Sequence, residues 1–458
     1  MKSTITILII MSIKKTIAVL TPYPINKAYD YTLPDNLQDL EEGTYVSAPL
    51  GNREVPAVVW GAGEGDVKPN KIKSLVSSYD VTPMPDVHRK FINWVSSYTM
   101  TPLGSVLKLT LSVPKALEAP TSVTGYVMAR ELNEGESVSK PAMRVLEVAG
   151  DKLPRRLSEL AEEADCSTGV VKTLAKNGFL KTIELQAPPP CRSPDAFRAG
   201  ALLSPQQKEC ADALVDNVKA DKFSCALLDG VTGAGKTEVY FEAVAEAIKQ
   251  QKQVLILLPE IALSNAFLDR FKSRFGCAPA LWHSSLSPAK RKITWRGVAE
   301  GQSKVVIGAR SALFLPYKDL GVIIVDEEHD PAYKQEEGAI CNARDMAVVR
   351  ANLGKFPIVM VSATPSLETI YNAWEGRYQH LTLPTRHGEA GLPDIHLIDL
   401  RNDKPESRQH FIAPTLEKAM NETLEQKQQV LLFLNRRGYA PLTICRNCGF
   451  RFQCPRCT

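Results

Sequence analysis

The chain has 458 residues, 44% of them hydrophobic and 23% charged, and a formal net charge of +4. This is the profile of an ordinary soluble protein with enough chain for roughly three cores at ~150 residues each. The mild positive charge permits a nucleic-acid partner without requiring one, and the one apolar candidate for a targeting or membrane segment, residues 5–11, is too short to cross a bilayer and has no small-residue cleavage site after it.

Met11 is an alternative start. Of the ten cysteines, Cys166, Cys191, Cys210, Cys225, Cys277 and Cys341 are scattered and read as reduced core residues, while the other four crowd the C-terminus. A cytoplasmic protein with no membrane partner is expected.

From Ile13 to about Val113 the pattern is short and β-like. Residues 17–20, 29–33, 45–48 and 55–60 alternate or cluster apolar side chains between Pro, Gly and Asn turns, and 91–98 reads as a short helix. A small α+β module is predicted, in which Tyr29-Asp30-Tyr31 is by pattern alone an edge strand and no more.

Between about Pro120 and Leu185 the signal changes. Residues 142–148 and 157–164 are helical, Asp165-Cys166-Ser167 is a turn with N-cap chemistry, 168–176 is a further helix ended by Asn177-Gly178, and 179–185 runs as a strand. Helix, tight turn, helix and strand is the winged-helix order, with Lys172 and Lys176 on the recognition helix; the same form also serves as a packing spacer. Pro188-Pro189-Pro190 and the polar stretch to Gly200 predict a linker.

From Leu202 to about Leu383 the chain becomes α/β. Apolar runs at 225–228, 255–258, 305–307, 322–325 and 358–361 predict five buried strands in a parallel sheet covered on both faces. The first run leads into residues 230–237, GVTGAGKT, which meet G-x-x-x-x-G-K-[ST] at every fixed position and open a helix reaching about Lys249. Gly230, Gly233 and Gly235 let the backbone wrap a phosphate chain, so that the N–H groups of the loop through Val231, Thr232 and Ala234 face the anion. Lys236 can reach the β- and γ-phosphates and the Thr237 hydroxyl can ligate Mg²⁺. A nucleoside-triphosphate site is predicted.

Asp326-Glu327-Glu328-His329 ends a later strand of the same sheet, where Mg²⁺ has to be held; Asp326 is assigned to the metal and Glu327 to the attacking water as general base. Ser362-Ala363-Thr364-Pro365 follows the next strand and suits a coupling turn. Upstream, Gln207 can offer both donor and acceptor to an adenine edge. After Pro384 a further α/β segment begins, with strands expected at 395–400 and 430–434 and a helix from about 414 to 426. Finally, Cys445-x₂-Cys448 and Cys454-x₂-Cys457 have zinc-knuckle spacing. Only five residues lie between the pairs, against the ~15–20 common when two pairs enclose one Zn²⁺, so each pair reads as half a site.

Together these elements resemble a superfamily 2 helicase core. The stretches LLPEIALS (257–264), WHSSLSPAKR (282–291), IGARSALFLPYKDLGVIIVDEEHDPAYKQEEG (307–338), SATPSLE (362–368) and LLFLNRRGYAP (431–441) before paired cysteines are similar to the primosomal protein N′ (PriA) family of replication-restart helicases. The resemblance implies a multidomain α/β protein. Its parts would be a β-rich 3′-end DNA-binding domain (1–115), a winged helix (116–187), a linker (188–200), a P-loop RecA-like ATP-binding lobe (201–385), and a partial second lobe with zinc knuckles (386–458).

It further implies an ATP-dependent 3′→5′ DNA helicase that binds stalled or abandoned forks and initiates primosome assembly. Its partners would be forked and single-stranded DNA, primosome proteins and single-stranded DNA-binding protein. Tyr29, Asp30, Gly51 and Lys73 would grip a 3′ end, Arg310 would contact the single strand, and Tyr333 and Lys334 would begin a loop that couples strand binding to hydrolysis by aromatic stacking. In that loop Cys341 and Asn342 replace the aromatic residue and His usual before Ala-Arg-Asp. Two Zn²⁺ ions are implied for the family, with cysteines beyond Thr458 completing them. The chain is therefore expected to be an N-terminal part, short of the γ-phosphate arginine of the second lobe, that unwinds DNA poorly. Another superfamily 2 translocase and a non-catalytic fork-binding protein remain as alternatives.

Overall fold

The computed structural model describes residues 16–37, 40–65, 71–119, 123–133, 135–185, 191–259, 264–386, 394–405 and 412–433. Strands β1 (Thr16–Leu20), β2 (Tyr29–Thr32), β3 (Tyr45–Leu50), β4 (Arg53–Ala62) and β5 (Ser77–Ser78) form an antiparallel sheet in the order β2-β1-β4-β3-β5. Helices α1 (Asp86–Thr99) and α2 (Leu103–Thr110) follow it. The first begins well before the predicted Phe91, because Pro85 and the acidic Asp86 start it ahead of its apolar face.

The next elements are β6 (Val123–Met128), α3 (Lys140–Ala149), β7 (Arg155–Arg156), α4 (Leu157–Glu163), α5 (Thr168–Lys176) and β8 (Leu180–Leu185), with sheet order β7-β6-β8; α3, α4, α5 and β8 lie where the sequence predicts them, and β6 and β7 are additional. Their shared core, including Val145, Leu146, Leu160, Val171 and Leu174, is drawn from this segment. Lys172 and Lys176 are exposed on α5. The stretch 191–200, expected as linker, is seated on the next domain. Asp195 N–H donates to Phe275 O at 2.9 Å, Arg274 donates to Arg198 O at 2.6 Å, and Ala196 is buried.

The P-loop domain comprises α6 (Pro205–Lys219), β9 (Cys225–Gly230), α7 (Lys236–Lys249), β10 (Gln253–Leu257), α8 (Asn265–Phe275), β11 (Ala280–Trp282), α9 (Pro288–Ala299), β12 (Val305–Gly308), β13 (Leu320–Asp326), β14 (Lys334–Gln335), β15 (Cys341–Asn342), α10 (Ala343–Gly354), β16 (Ile358–Ser362), α11 (Leu367–Trp374) and β17 (Gln379–Leu383). Its sheet is parallel throughout, in the order β11-β12-β10-β13-β16-β9-β17. The five strands expected from continuous apolar runs are the five interior ones. The two edge strands were missed because β11 has three residues and β17 reads QHLTL, mostly unburied, so neither carries the pattern of a strand covered on both faces.

Alternate residues of this sheet enter two cores. Ala226, Leu228, Val254, Ile256, Ile324 and Val361 face α6, α7 and α8. Leu227, Leu255, Leu257, Ile323, Val325 and Met360 face a core that also contains Leu20, Tyr45, Phe91, Ile92, Val95 and Val106. The N-terminal module and the P-loop domain therefore share one apolar core, while Ile17, Val19, Tyr31, Val46, Ala57 and Val59 form a second core within the N-terminal sheet alone. Trp295 is the joint: it is fully buried, donates its indole N–H to Thr110 O at 2.7 Å, and meets Tyr45 edge-on at 5.6 Å.

Residues Met1–Glu389 form one compact unit and Ala390–Thr458 another. In the second, α12 (Pro414–Glu425) appears as predicted, but 395–400 and 430–433 are not strands. Ile395, Leu397, Leu431 and Phe433 are exposed, and a strand exists only where a neighbour accepts its ladder bonds. The cysteines Cys445, Cys448, Cys454 and Cys457, the NRRGYAP stretch, and 260–263 of PEIALS lie outside the described residues. Among the described residues no helix is long and apolar enough to cross a membrane.

Candidate nucleotide site

The phosphate loop sits between the end of β9 and the first turn of α7. Gly233 and Gly235 hold φ of +81° and +79°, conformations that cost only non-glycine residues. Gly235 has a second constraint, because a Cβ there would stand 2.5 Å from Gln207 Nε2. The loop, with Thr237, Asp326, Glu327 and Arg270, lines a cavity of about 670 Å³, a volume that suits a nucleotide. Val231, one residue into the loop, has an exposed side chain, while Ala234 is buried beneath it.

Lys236 points back along the loop, donating to Gly230 O at 2.7 Å and Val231 O at 3.4 Å. Burial lowers its pKa, and the charges of Glu327, Asp326 and Asp229 oppose that shift. Asp326, at the end of β13, accepts from Tyr240 O–H on Oδ2 at 2.8 Å and from Glu327 N–H on Oδ1 at 3.0 Å. Burial pushes its carboxyl up to about 6. Glu327 has a left-handed φ of 49°, which turns its side chain toward the cavity edge, 3.6 Å from His329 Nδ1. His329 Nδ1 shares a 2.7 Å hydrogen bond with Ser362 Oγ, linking the acidic turn to the Ser-Ala-Thr-Pro turn.

A cation fits this donor set. Mg²⁺ prefers one or two protein oxygens plus phosphate and water, and Thr237 with Asp326 supplies a hydroxyl and a carboxylate at the same cavity. Among the described residues no cluster of three or more His, Cys, Asp or Glu side chains makes a protein-only metal cage.

Gln207 lines the same cavity. Its Oε1 accepts from Ser204 N–H at 2.8 Å and its Nε2 donates to Ala234 O at 2.9 Å, inside a capping box that starts α6. The amide thus braces the phosphate loop with one of its two N–H groups and one of its two acceptor sites. Tyr333 departs from its expected role: it is 1% exposed, and its hydroxyl lies 2.6 Å from Asp326 O and 2.9 Å from Leu257 O. A ring so buried offers no face to a nucleobase; it anchors the strand that carries Asp326. Lys334 is exposed, and its carbonyl accepts from the exposed Arg310 at 2.6 Å, so the guanidinium expected at the single strand also braces this loop. Asn342 caps α10 by accepting from Arg344 N–H at 3.1 Å, and Cys341 is buried in β15.

One residue had no assigned role. Glu328 is buried and accepts from Ser366 N–H (2.7 Å), Ser366 Oγ (3.0 Å), Thr369 Oγ1 (2.8 Å) and Arg344 Nη1 (3.2 Å). It ties the acidic turn to α10 and α11. Its adjacency to Asp326 and Glu327 was the only signal in the sequence.

The N-terminal candidates gather near β2. Lys73 donates to Gly51 O at 2.6 Å, and its own carbonyl accepts from Thr32 N–H at 3.0 Å. Gly51 turns between β3 and β4 at φ +60°. Tyr29 is exposed, whereas the Asp30 carboxylate accepts from Glu64 N–H (3.0 Å) and Gly65 N–H (2.8 Å).

A DEAD/DEAH box helicase family model matches residues 204–373, and a 3′ DNA-binding domain (3′BD) model matches residues 18–112. The replication restart protein PriA of Rickettsia felis is 37% identical over 94% of this chain and 55% of its own length. Those of Haemophilus influenzae and Bacillus subtilis are 35% and 28% identical, over 97% and 98% of this chain and 61% and 65% of their own lengths. Over nearly all of its length the chain is similar to these PriA proteins. It spans little more than half the length of the first of these PriA relatives. The helicase match takes in the phosphate loop, Asp326 and Glu327, and the 3′ DNA-binding match takes in Tyr29, Asp30, Gly51 and Lys73.

Proposed function

We propose that this chain acts in an ATP-dependent 3′→5′ DNA helicase that recognises stalled or abandoned replication forks and initiates primosome assembly. The observation that carries this is the convergence of Lys236, Thr237, Asp326 and Glu327 on one cavity in a chain that also has a 3′ DNA-binding domain. Lys236 would leave the loop carbonyls for the β- and γ-phosphates, and the N–H groups from Gly230 to Thr237 would line them. Thr237 and Asp326 would hold Mg²⁺, which when bound neutralises phosphate charge, and Glu327 would take the proton of the attacking water.

Tyr29, Asp30, Gly51 and Lys73 would form the 3′-end grip within a domain of residues 1–115, with a 3′ hydroxyl, which can donate, displacing the amides that now engage Asp30. The winged helix of 116–187 would meet duplex through Lys172 and Lys176, and Arg310 and Lys334 would meet the single strand. Residues 188–200 would join it to the ATP-binding lobe of 201–385, and 386–458 would begin a second lobe in which Cys445, Cys448, Cys454 and Cys457 take Zn²⁺. Primosome proteins and single-stranded DNA-binding protein would be partners, in the cytoplasm.

The test is ATP hydrolysis with and without a fork bearing a free leading-strand 3′ end. Stimulation by that fork, and less by one with a blocked 3′ end, is expected. Tight fork binding with no hydrolysis under any condition would replace this reading with a non-catalytic fork-binding protein.

A further inference from the structure

One of the two side chains offered to the cation, Asp326, is held by a third group. Tyr240 lies on α7, three residues after Thr237 and four after Lys236, a spacing that puts it on the same helix face. It is fully buried, and its ring is fixed edge-on against Phe241 at 5.3 Å. Its hydroxyl donates to Asp326 Oδ2 at 2.8 Å.

We propose that Tyr240 is a positioning residue for the divalent cation of the nucleotide site, holding the Asp326 carboxylate in one orientation through a buried hydrogen bond. This rests on the nucleotide-site reading above and deepens it.

The hydrogens count out. A phenol has one proton to give, and Tyr240 gives it to Asp326, away from the cavity side of the carboxylate. Each Asp326 oxygen has accepted one hydrogen bond, from Tyr240 or from Glu327 N–H, and keeps lone-pair capacity in a fixed orientation. Without the phenol oxygen the carboxylate loses its buried donor. Hydrogen-bonded supports of this kind are worth about 10–100-fold in metal affinity.

The test is Tyr240→Phe, which keeps the ring and removes the oxygen. Binding of a fluorescent, non-hydrolysable ATP analogue would be followed in EDTA and then across a Mg²⁺ titration. The Mg²⁺ midpoint should rise at least about 10-fold, with binding in EDTA within twofold of the unaltered protein. In turnover, the Mg²⁺ requirement should rise while kcat at saturating Mg²⁺ is largely kept. On an Asp326→Asn background, Tyr240→Phe should shift the midpoint no further, because Tyr240 acts through that carboxylate.

An unchanged midpoint overturns the proposal while leaving the nucleotide site intact. So does an equal shift on both backgrounds, or a loss of EDTA binding that matches the loss in Mg²⁺, which would mean general damage to the loop. If the unaltered protein binds the analogue neither with nor without Mg²⁺, the nucleotide-site reading itself fails and the proposal falls with it.

Discussion

Replacing Glu328 by Gln changes one atom and tests the connection between the acidic turn and its neighbours. The carboxylate accepts four hydrogen bonds, one on Oε1 and three on Oε2. An amide of the same shape must aim an N–H₂ group at one of these two sets of donors. The milder orientation leaves the Ser366 N–H unpaired at the position of Oε1; the other leaves three donors unpaired. In either, Arg344 remains buried and loses its buried counter-charge, keeping only the half-exposed Asp345 at 2.8 Å. Hydrogen bonds to charged groups contribute about 1.5–3 kcal/mol, and removing one partner of a buried pair costs about 3–5 kcal/mol. Glu328→Gln should therefore destabilise the P-loop domain by about 3–5 kcal/mol. Urea unfolding followed by the fluorescence of Trp282 and Trp295, both buried in that domain, reads the loss. Arg344→Met alone should cost a similar amount, and the double variant clearly less than the sum. A loss below about 1 kcal/mol for Glu328→Gln, or strict additivity in the cycle, would refute the network as described.

Three further outcomes are expected. Gln207→Ala should weaken ATP and GTP binding alike, by about 10-fold for the loss of one or two loop-bracing hydrogen bonds; an effect confined to ATP would support a base-reading role. Tyr333→Phe should leave single-strand affinity unchanged in a DNA-binding titration and lower stability by about 1–3 kcal/mol, since two carbonyls lose their buried donor; a large loss of strand affinity at full stability would return the ring to the DNA. Burial, reinforced by Arg350, holds the His88 ring well below its usual 6.5, so the folded chain keeps it neutral while the unfolded chain protonates near that value. The folded state binds fewer protons, so this group's stability is complete above about pH 6.5 and declines below it by at most about 1.4 kcal/mol per pH unit. His88→Gln should flatten the thermal-stability profile between pH 6.5 and 5, and an unaltered slope would count against that assignment.

The legible parts of the chain were those whose chemistry is local. Residues 230–237 needed only their own spacing to declare a phosphate loop, and Asp326 needed only an apolar strand before it. The interior strands announced themselves because burial on both faces forces an unbroken Val, Ile and Leu run, as at 322–325. Edge strand β17, half exposed, carries no such mark, and 395–400 carries an apolar pattern without the neighbour that would make it a strand.

The sequence by itself thus determined the class of chemistry, the interior strands of the sheet and the loop and acidic residues that line the cavity. The tertiary structure alone decided what each polar group is bonded to. Gln207 braces Ala234, Tyr333 anchors Asp326 from seven residues away, and Tyr240 reaches the same aspartate across 86 positions of chain. It also merged the N-terminal module with the P-loop domain through Trp295 and Thr110, 185 residues apart. The reason is physical: a backbone preference is a property of a short segment, but a buried donor is satisfied by whichever acceptor the fold brings within about 3 Å, and that neighbour can lie anywhere in the chain.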